Sequence, residues 1–144
     1  MTVQSTGLTT VLKVKQFQEK STQKELAAIR TARETEEQQL GHLEASQNTA
    51  MTEAGNTVRS SAGDLQTARA FIQSISREIS QQEQRVDEVK QQEDDKRGEL
   101  IERSQSRQMV EKLDAKRKDE ALRESERKAQ RVIDVLAQRI KSAS

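Results

Sequence analysis

The chain has 144 residues, of which 25 are basic and 24 acidic, and it contains neither proline nor cysteine. Hydrophobic residues make up only 31% and aromatic residues 1%, which is too little for the core of an ordinary globular domain. The balanced charge gives no general case for nucleic-acid binding, and the lack of cysteine excludes disulfides and thiolate metal sites. No stretch approaches the length of a membrane span, and the N-terminus lacks the pattern of a signal peptide, so we expect a soluble, cytosolic protein.

The first predicted helix runs from about residue 5 to residue 54. With heptad position a placed at Leu12, eight of the fourteen a and d positions are apolar, and leucine occupies every second a position, at 12, 26 and 40. A coiled coil needs only such a narrow apolar stripe. Ser5, Thr6, Thr9 and Thr10 are each able to cap the start of this helix.

A turn is predicted over about residues 55–63. Gly55 and Asn56 both tolerate the left-handed conformation that ends many helices, and Thr57, Ser60, Ser61 and Gly63 favour a loop. Asp64 is the predicted N-cap of the next helix.

The second predicted helix covers about residues 64–141. Its seam of a and d positions runs from Leu65 to Leu100, and eight of these eleven residues are apolar. Beyond Leu100 the apolar residues shift to Val110, Leu113 and Leu122, a spacing that predicts a drift of register and straighter helices.

The short break makes the two helices antiparallel neighbours. The predicted fold is therefore all-α: a single domain over residues 1–144, formed by a long antiparallel two-helix coiled-coil hairpin. A turn centred near residues 59–60 places Leu40 opposite Ile79 and Leu12 near Arg107. Helix 2 then projects beyond helix 1 from about residue 111. Residues 112–141 of this projecting segment carry ten basic and six acidic residues.

Nothing in the sequence indicates an active site, a cofactor or a metal. His42, the single histidine, falls on the outer face of the first helix without other ligand residues near it. The acidic clusters at 34–37 and 93–95 have no cleft to bury them, so we interpret them as solvated faces and salt-bridge partners. We therefore expect a protein that is not an enzyme.

Two apolar features exceed what the seam requires. Phe71 lies at position g beside the seam, where it packs down to close the sparse core, contacts a third packing partner or belongs to a docking patch. Ile133, Leu136 and Ile140 form a stripe in the projecting segment, flanked by Arg131 and Arg139. Such a stripe without a partner in the hairpin is typical of a helix that binds a groove on another protein.

Four segments resemble the FliJ family of small coiled-coil proteins in bacterial flagellar export. They are EEQQLGHL at 36–43, FIQSISREI at 71–79, EKLDAKRK at 111–118 and QRVIDVLAQR at 130–139. Their order and spacing over most of the chain carry the resemblance.

The resemblance implies a central stalk whose paired terminal helices insert into a hexameric export ATPase. It also implies contacts with the cytoplasmic part of a membrane-embedded export gate and with export chaperones. The implied location is cytoplasmic, peripheral to the inner membrane at the export apparatus, without direct membrane insertion. We assign the ring contact to Arg131, Ile133, Leu136, Arg139 and Ile140.

The gate-binding residues of the family match Gln39, Leu43, Phe71 and Ile75, which the predicted alignment allows to lie together. Where the family often has aromatic residues, one and two turns after Leu43, this sequence has Ser46 and Ala50. The alternatives are a generic coiled-coil scaffold, the equivalent stalk of a virulence type III secretion system, and a chaperone-like holder of secreted proteins.

Overall fold

The computed structural model describes residues 7–56 and 61–143. Within those ranges the chain forms two helices and no strand: α1 spans Gly7–Asn56 and α2 spans Ala62–Ala143. The helices pack against each other and run antiparallel, because Gln47 contacts Ser76 whereas Glu25 contacts Lys96. The predicted all-α fold is thus confirmed. The predicted helix start near residue 5 and the loop residues Thr57 and Ser60 lie outside the described residues.

The turn-proximal ends of the helices differ from the prediction. Gly55 and Asn56 belong to α1, and no residue in the described ranges has a positive φ. Helix α2 begins earlier than predicted because Ser61, and not Asp64, is its cap: Ser61 Oγ accepts a hydrogen bond from the Asp64 amide at 3.3 Å. Asp64 lies in the first turn, where its negative charge favours the positive end of the helix dipole.

The chain divides into two compact units. The turn unit is Thr22–Leu100, and the terminal unit combines Met1–Ser21 with Ile101–Ser144. Each unit contains a stretch of both helices.

Burial along the helices follows the heptad. Every a and d position of α1 from Leu8 to Ala54 is buried or half-buried, and in α2 the same holds from Ala68 to Leu100. Leu65, the first predicted seam residue of α2, is exposed. The apolar spacing therefore predicted correctly which face of each helix meets the other.

The core of the turn unit is small and mixed. Its buried apolar residues, among those described, are Leu26, Ile75, Ile79 and Val86, and polar residues are buried beside them: Thr22, Gln82 and Glu93. Gln82 Nε2 donates a hydrogen bond to the Glu36 carbonyl oxygen at 2.9 Å and a second one to the Glu36 carboxylate. Because a buried polar group is costly only when it is unpaired, these bonds make a polar seam tolerable.

Glu93 is the centre of an ion network in the turn unit. Its carboxylate lies 2.5 Å from Arg33 Nε, 3.2 Å from Arg97 Nη2 and 3.5 Å from Arg30 Nε. Arg33 Nη1 also contacts Glu37 at 3.2 Å. The pKa of Arg33 is raised, first by its hydrogen bond with Glu37 and then by the negative charge of Glu93.

In the terminal unit the heptad continues without the predicted drift. Arg103, Arg107 and Val110 are half-buried and Asp114 is buried, whereas Leu113 is 50% and Leu122 59% exposed. Polar side chains can occupy these heptad positions because they contact polar side chains of α1. Arg107 pairs with Glu19, and Thr9 Oγ1 donates a hydrogen bond to Asp114 Oδ1 at 3.2 Å. The prediction of drift was wrong because it followed apolar residues alone.

The alignment of the helices also differs from the prediction. Gln47 bonds Ser76 and Thr9 bonds Asp114, and both partners lie four residues, about one turn, beyond those expected. Knobs-into-holes packing of antiparallel seams places an a position of one helix against a d position of the other. The alignment predicted from the turn residues does not satisfy that requirement. Leu40 therefore faces Gln82 and not Ile79, and Leu12 faces Val110 and not Arg107.

Candidate partner-binding surfaces

The last stretch of α2 is exposed at every position from 115 to 143. It stays helical with support from pairs one turn apart: Asp114 with Lys118 at 3.0 Å, Asp119 with Arg123 at 3.2 Å, and Glu124 with Arg127 at 3.9 Å. Gln130 Nε2 also donates to Asp134 Oδ1 at 3.0 Å. Such pairs stabilise a helix that lacks a packing partner.

The apolar surface near the end of α2 is wider than the sequence indicated. Ile133, Leu136 and Ile140 are exposed, the last by 73%, and Val132 and Val135 are exposed as well. At about 100° per residue these five side chains cover an arc of about 160° of the helix. The two valines were missed because only the i, i+3, i+7 spacing was considered, although i, i+4 from Val132 to Leu136 was visible in the sequence.

One of the two assigned arginines lies within this apolar arc and the other borders it. By helical position Arg139 lies between Val132 and Val135, and Arg131 follows Val135 at the edge. We call the surface formed by this arc and the two arginines the distal surface; its residues are Arg131, Val132, Ile133, Val135, Leu136, Arg139 and Ile140. It can offer a partner apolar contact and positive charge together.

The second surface surrounds Phe71 in the turn unit. The Phe71 side chain is 55% exposed, so it does not close the core. It lines a groove of about 490 Å³ whose α1 side is made of Ala50, Glu53 and Ala54. On its other side a second groove of about 420 Å³ includes His42 and Ser46. Small residues at 46 and 50 leave open the space that larger side chains would fill.

The four residues matched to gate binding do not form one patch. Ile75 is 5% exposed and belongs to the core, and Leu43 is half-buried in the seam. Gln39 is exposed, but the alignment places it about 20 Å along the helices from Phe71. We call Phe71 and its groove the turn surface.

Other sequence features give no site. His42 is exposed, and no group of His, Cys, Asp or Glu among the described residues is arranged to hold a metal. In the acidic cluster at 93–95, Glu93 is not part of a solvated face, because it is buried within its arginine network. Neither helix, over its described length, is apolar enough to cross a membrane.

A family model described as flagellar FliJ protein matches residues 4–143, nearly the entire chain. No curated protein and no solved structure matches the sequence.

Proposed function

The chain belongs to the FliJ family, and on that premise we propose that it is the non-enzymatic stalk of a bacterial flagellar export ATPase. Membership supports a coiled-coil protein of the flagellar or type III export apparatus. The finer assignments, to an ATPase ring, an export gate and export chaperones, are proposals. So is its place at the cytoplasmic side of the inner membrane.

The observation that carries the proposal is the distal surface. An apolar arc and an excess of basic residues lie on one exposed helix. A subunit that couples to a ring of similar faces must bind each face reversibly. Partly electrostatic binding suits this, because exposed charges attract at short range and are screened by salt.

The experiment compares two variants of α2 with the same change of charge, one inside the distal surface and one outside it. Leu136→Asp alters the centre of the apolar arc. Gln130→Asp introduces the same charge outside the distal surface, on a face that carries neither the apolar arc nor its two arginines. We expect Leu136→Asp to abolish stimulation of the hexameric export ATPase, as deletion of residues 123–144 should. Gln130→Asp should leave stimulation intact. Full stimulation by the deleted protein would contradict the stalk assignment.

We assign gate binding to the turn surface. Phe71 is a large exposed aromatic side chain beside an open groove, and such side chains dominate the energy of protein interfaces. Gln39 is a separate contact, and Leu43 and Ile75 act by supporting the helix pair.

The chain supplies a matched control for this assignment. Phe17, its other phenylalanine, is 73% exposed in the terminal unit. Phe71→Ala should weaken binding to the cytoplasmic part of the export gate, measured by titration calorimetry, whereas Phe17→Ala should not. Equal affinities of the two variants for the gate would show that Phe71 is not part of the gate contact.

A further inference from the structure

The seam of the turn unit pairs apolar residues with polar ones. Its observed alignment gives ten layers of facing a and d positions. Three layers are apolar on both sides: Leu43–Ile79, Ala50–Ile72 and Ala54–Ala68. The other seven each join an apolar residue to a polar one: Thr22–Leu100, Leu26–Lys96, Ile29–Glu93, Arg33–Val89, Glu36–Val86, Leu40–Gln82 and Gln47–Ile75.

A slide of one heptad would match like with like in seven of the ten layers. If each α1 residue faced the α2 residue seven positions earlier, five layers would be apolar on both sides: Leu26–Val89, Ile29–Val86, Leu40–Ile75, Leu43–Ile72 and Ala50–Leu65. Two polar pairs, Thr22–Glu93 and Arg33–Gln82, would form as well. Apolar burial alone therefore favours the shifted alignment.

Charge opposes that slide. In the observed alignment Glu93 lies among its arginines, and Lys90 Nζ is 3.9 Å from Glu37 Oε1. The slide would move Glu93 away from Arg33. It would also bring Lys90 beside Arg30 and Glu83 beside Glu37. Like charges at facing positions are destabilising, so the ion pairs select the observed alignment.

The end of α1 is compatible with the slide. The shifted alignment requires α1 to end near Ala54, and the residues that would leave the helix are Gly55 and Asn56, both weak helix formers. A slide in the opposite direction would unwind the start of α2 and set Arg33 against Lys96 and Glu36 against Glu93. Therefore only the slide that brings α1 opposite earlier residues of α2 is compatible with the helix ends and the charges.

We propose that the helix pair of the turn unit has two registers, one heptad or about 10 Å apart. The ion network around Glu93 holds the register observed, and apolar pairing stabilises the other. Ionic strength shifts the balance between them, because salt weakens the exposed ion pairs and leaves apolar burial in place. This inference is independent of the export partners.

Introduced cysteines can report each register, since the chain has none of its own. Gln47 Nε2 donates to Ser76 Oγ at 2.7 Å, so the Q47C/S76C pair reports the observed register. Arg69 precedes Ser76 by one heptad, and Q47C/R69C reports the shifted register. Q47C/E83C reports the opposite slide and is the background control.

Disulfide yield under mild oxidation is measured at low salt and at about 1 M salt, where the screening length is about 3 Å. Q47C/S76C should dominate at low salt. The yield of Q47C/R69C should rise several-fold at high salt, and also on adding Glu93→Gln. Adding Glu88→Gln, which removes an exposed charge outside the seam, should have no effect.

A Q47C/R69C yield no greater than that of Q47C/E83C, both at high salt and with Glu93→Gln, would overturn the second register. Circular dichroism shows whether the Glu93→Gln chain remains helical. If it does not, the salt titration of the chain that retains Glu93 decides the matter.

Discussion

Arg33 of α1 and Glu93 of α2 are joined across the seam, with Arg33 Nε 2.5 Å from Glu93 Oε2. The carboxylate side chain is only 7% exposed, whereas the guanidinium side chain is 27% exposed. The desolvation of Glu93 is thus offset by arginines that remain partly in water. We expect this pair to contribute more to choosing one alignment than to net stability.

The first prediction is a double-mutant cycle on this pair. Arg33→Met alone should lower the free energy of unfolding, because it leaves a buried carboxylate without its nearest partner. Arg33→Met combined with Glu93→Leu should recover most of that loss, because apolar residues suit both seam positions. Urea unfolding is measured on the parent, on Arg33→Met, on Glu93→Leu and on the double variant. A double variant that loses the sum of the two single effects would show that the pair is not coupled.

The second prediction separates the core from the turn surface. Ile75→Ala, at a buried position, should cost about 2–4 kcal/mol through lost burial and the cavity left behind. Phe71→Ala, one turn away and more than half exposed, should cost less than about 1 kcal/mol. Thermal and urea unfolding compare the two variants. A larger loss for Phe71→Ala would make Phe71 a core residue.

The sequence predicts the helical faces well because heptad spacing depends on local geometry alone. Leu12, Leu26 and Leu40 identify the seam of α1 whatever it faces. The alignment of the two helices is not local. Apolar matching is better in another register, so only the specific charges, such as Glu93 with Arg33, distinguish the one observed. Likewise, serine and aspartate both suit the cap position of a helix, so residue type alone does not show that Ser61 rather than Asp64 caps α2.

The candidate surfaces were predictable to a lesser extent. The exposed stripe at the end of α2 follows from its spacing and from the shorter length of α1. Whether Phe71 packs inward or outward depends on the size of the facing residues, such as Ala50. Ile75 shows the limit of matching single residues to those of a family. It aligns with a gate-binding position, but it is buried, so it can affect binding only through the packing of the helices.

The third prediction concerns Gly98, which lies within α2. A Cβ at this position would meet nothing within 4 Å, so Gly98→Ala introduces no clash. Alanine has the higher helix propensity and loses less backbone entropy on folding, which should raise the free energy of unfolding by about 0.5–1 kcal/mol. Gly41→Ala, equally open within α1, should behave alike. A destabilised Gly98→Ala chain would mean that the site is more crowded than observed.

The last prediction is a dependence of stability on alkaline pH through Lys96. Its ammonium group lies 2.7 Å from Glu25 Oε2 and 2.9 Å from Glu99 Oε2. The pKa of Lys96 is raised above its ordinary value of 10.5, first by the hydrogen bond with Glu25 and then by that with Glu99. The folded state therefore binds this proton more tightly than the unfolded state does.

A raised pKa in the folded state contributes stability that is complete below the ordinary lysine value and disappears as pH rises through the folded value. The free energy of unfolding should accordingly fall as pH increases from about 10. Lys96→Met removes this component, so the difference between parent and variant should be largest near neutral pH and shrink at alkaline pH. Lys24→Met, at an exposed position of α1 outside the seam, should follow the parent throughout. Urea unfolding across the alkaline range measures all three chains, and a constant gap between the parent and Lys96→Met would show that this proton is not linked to folding.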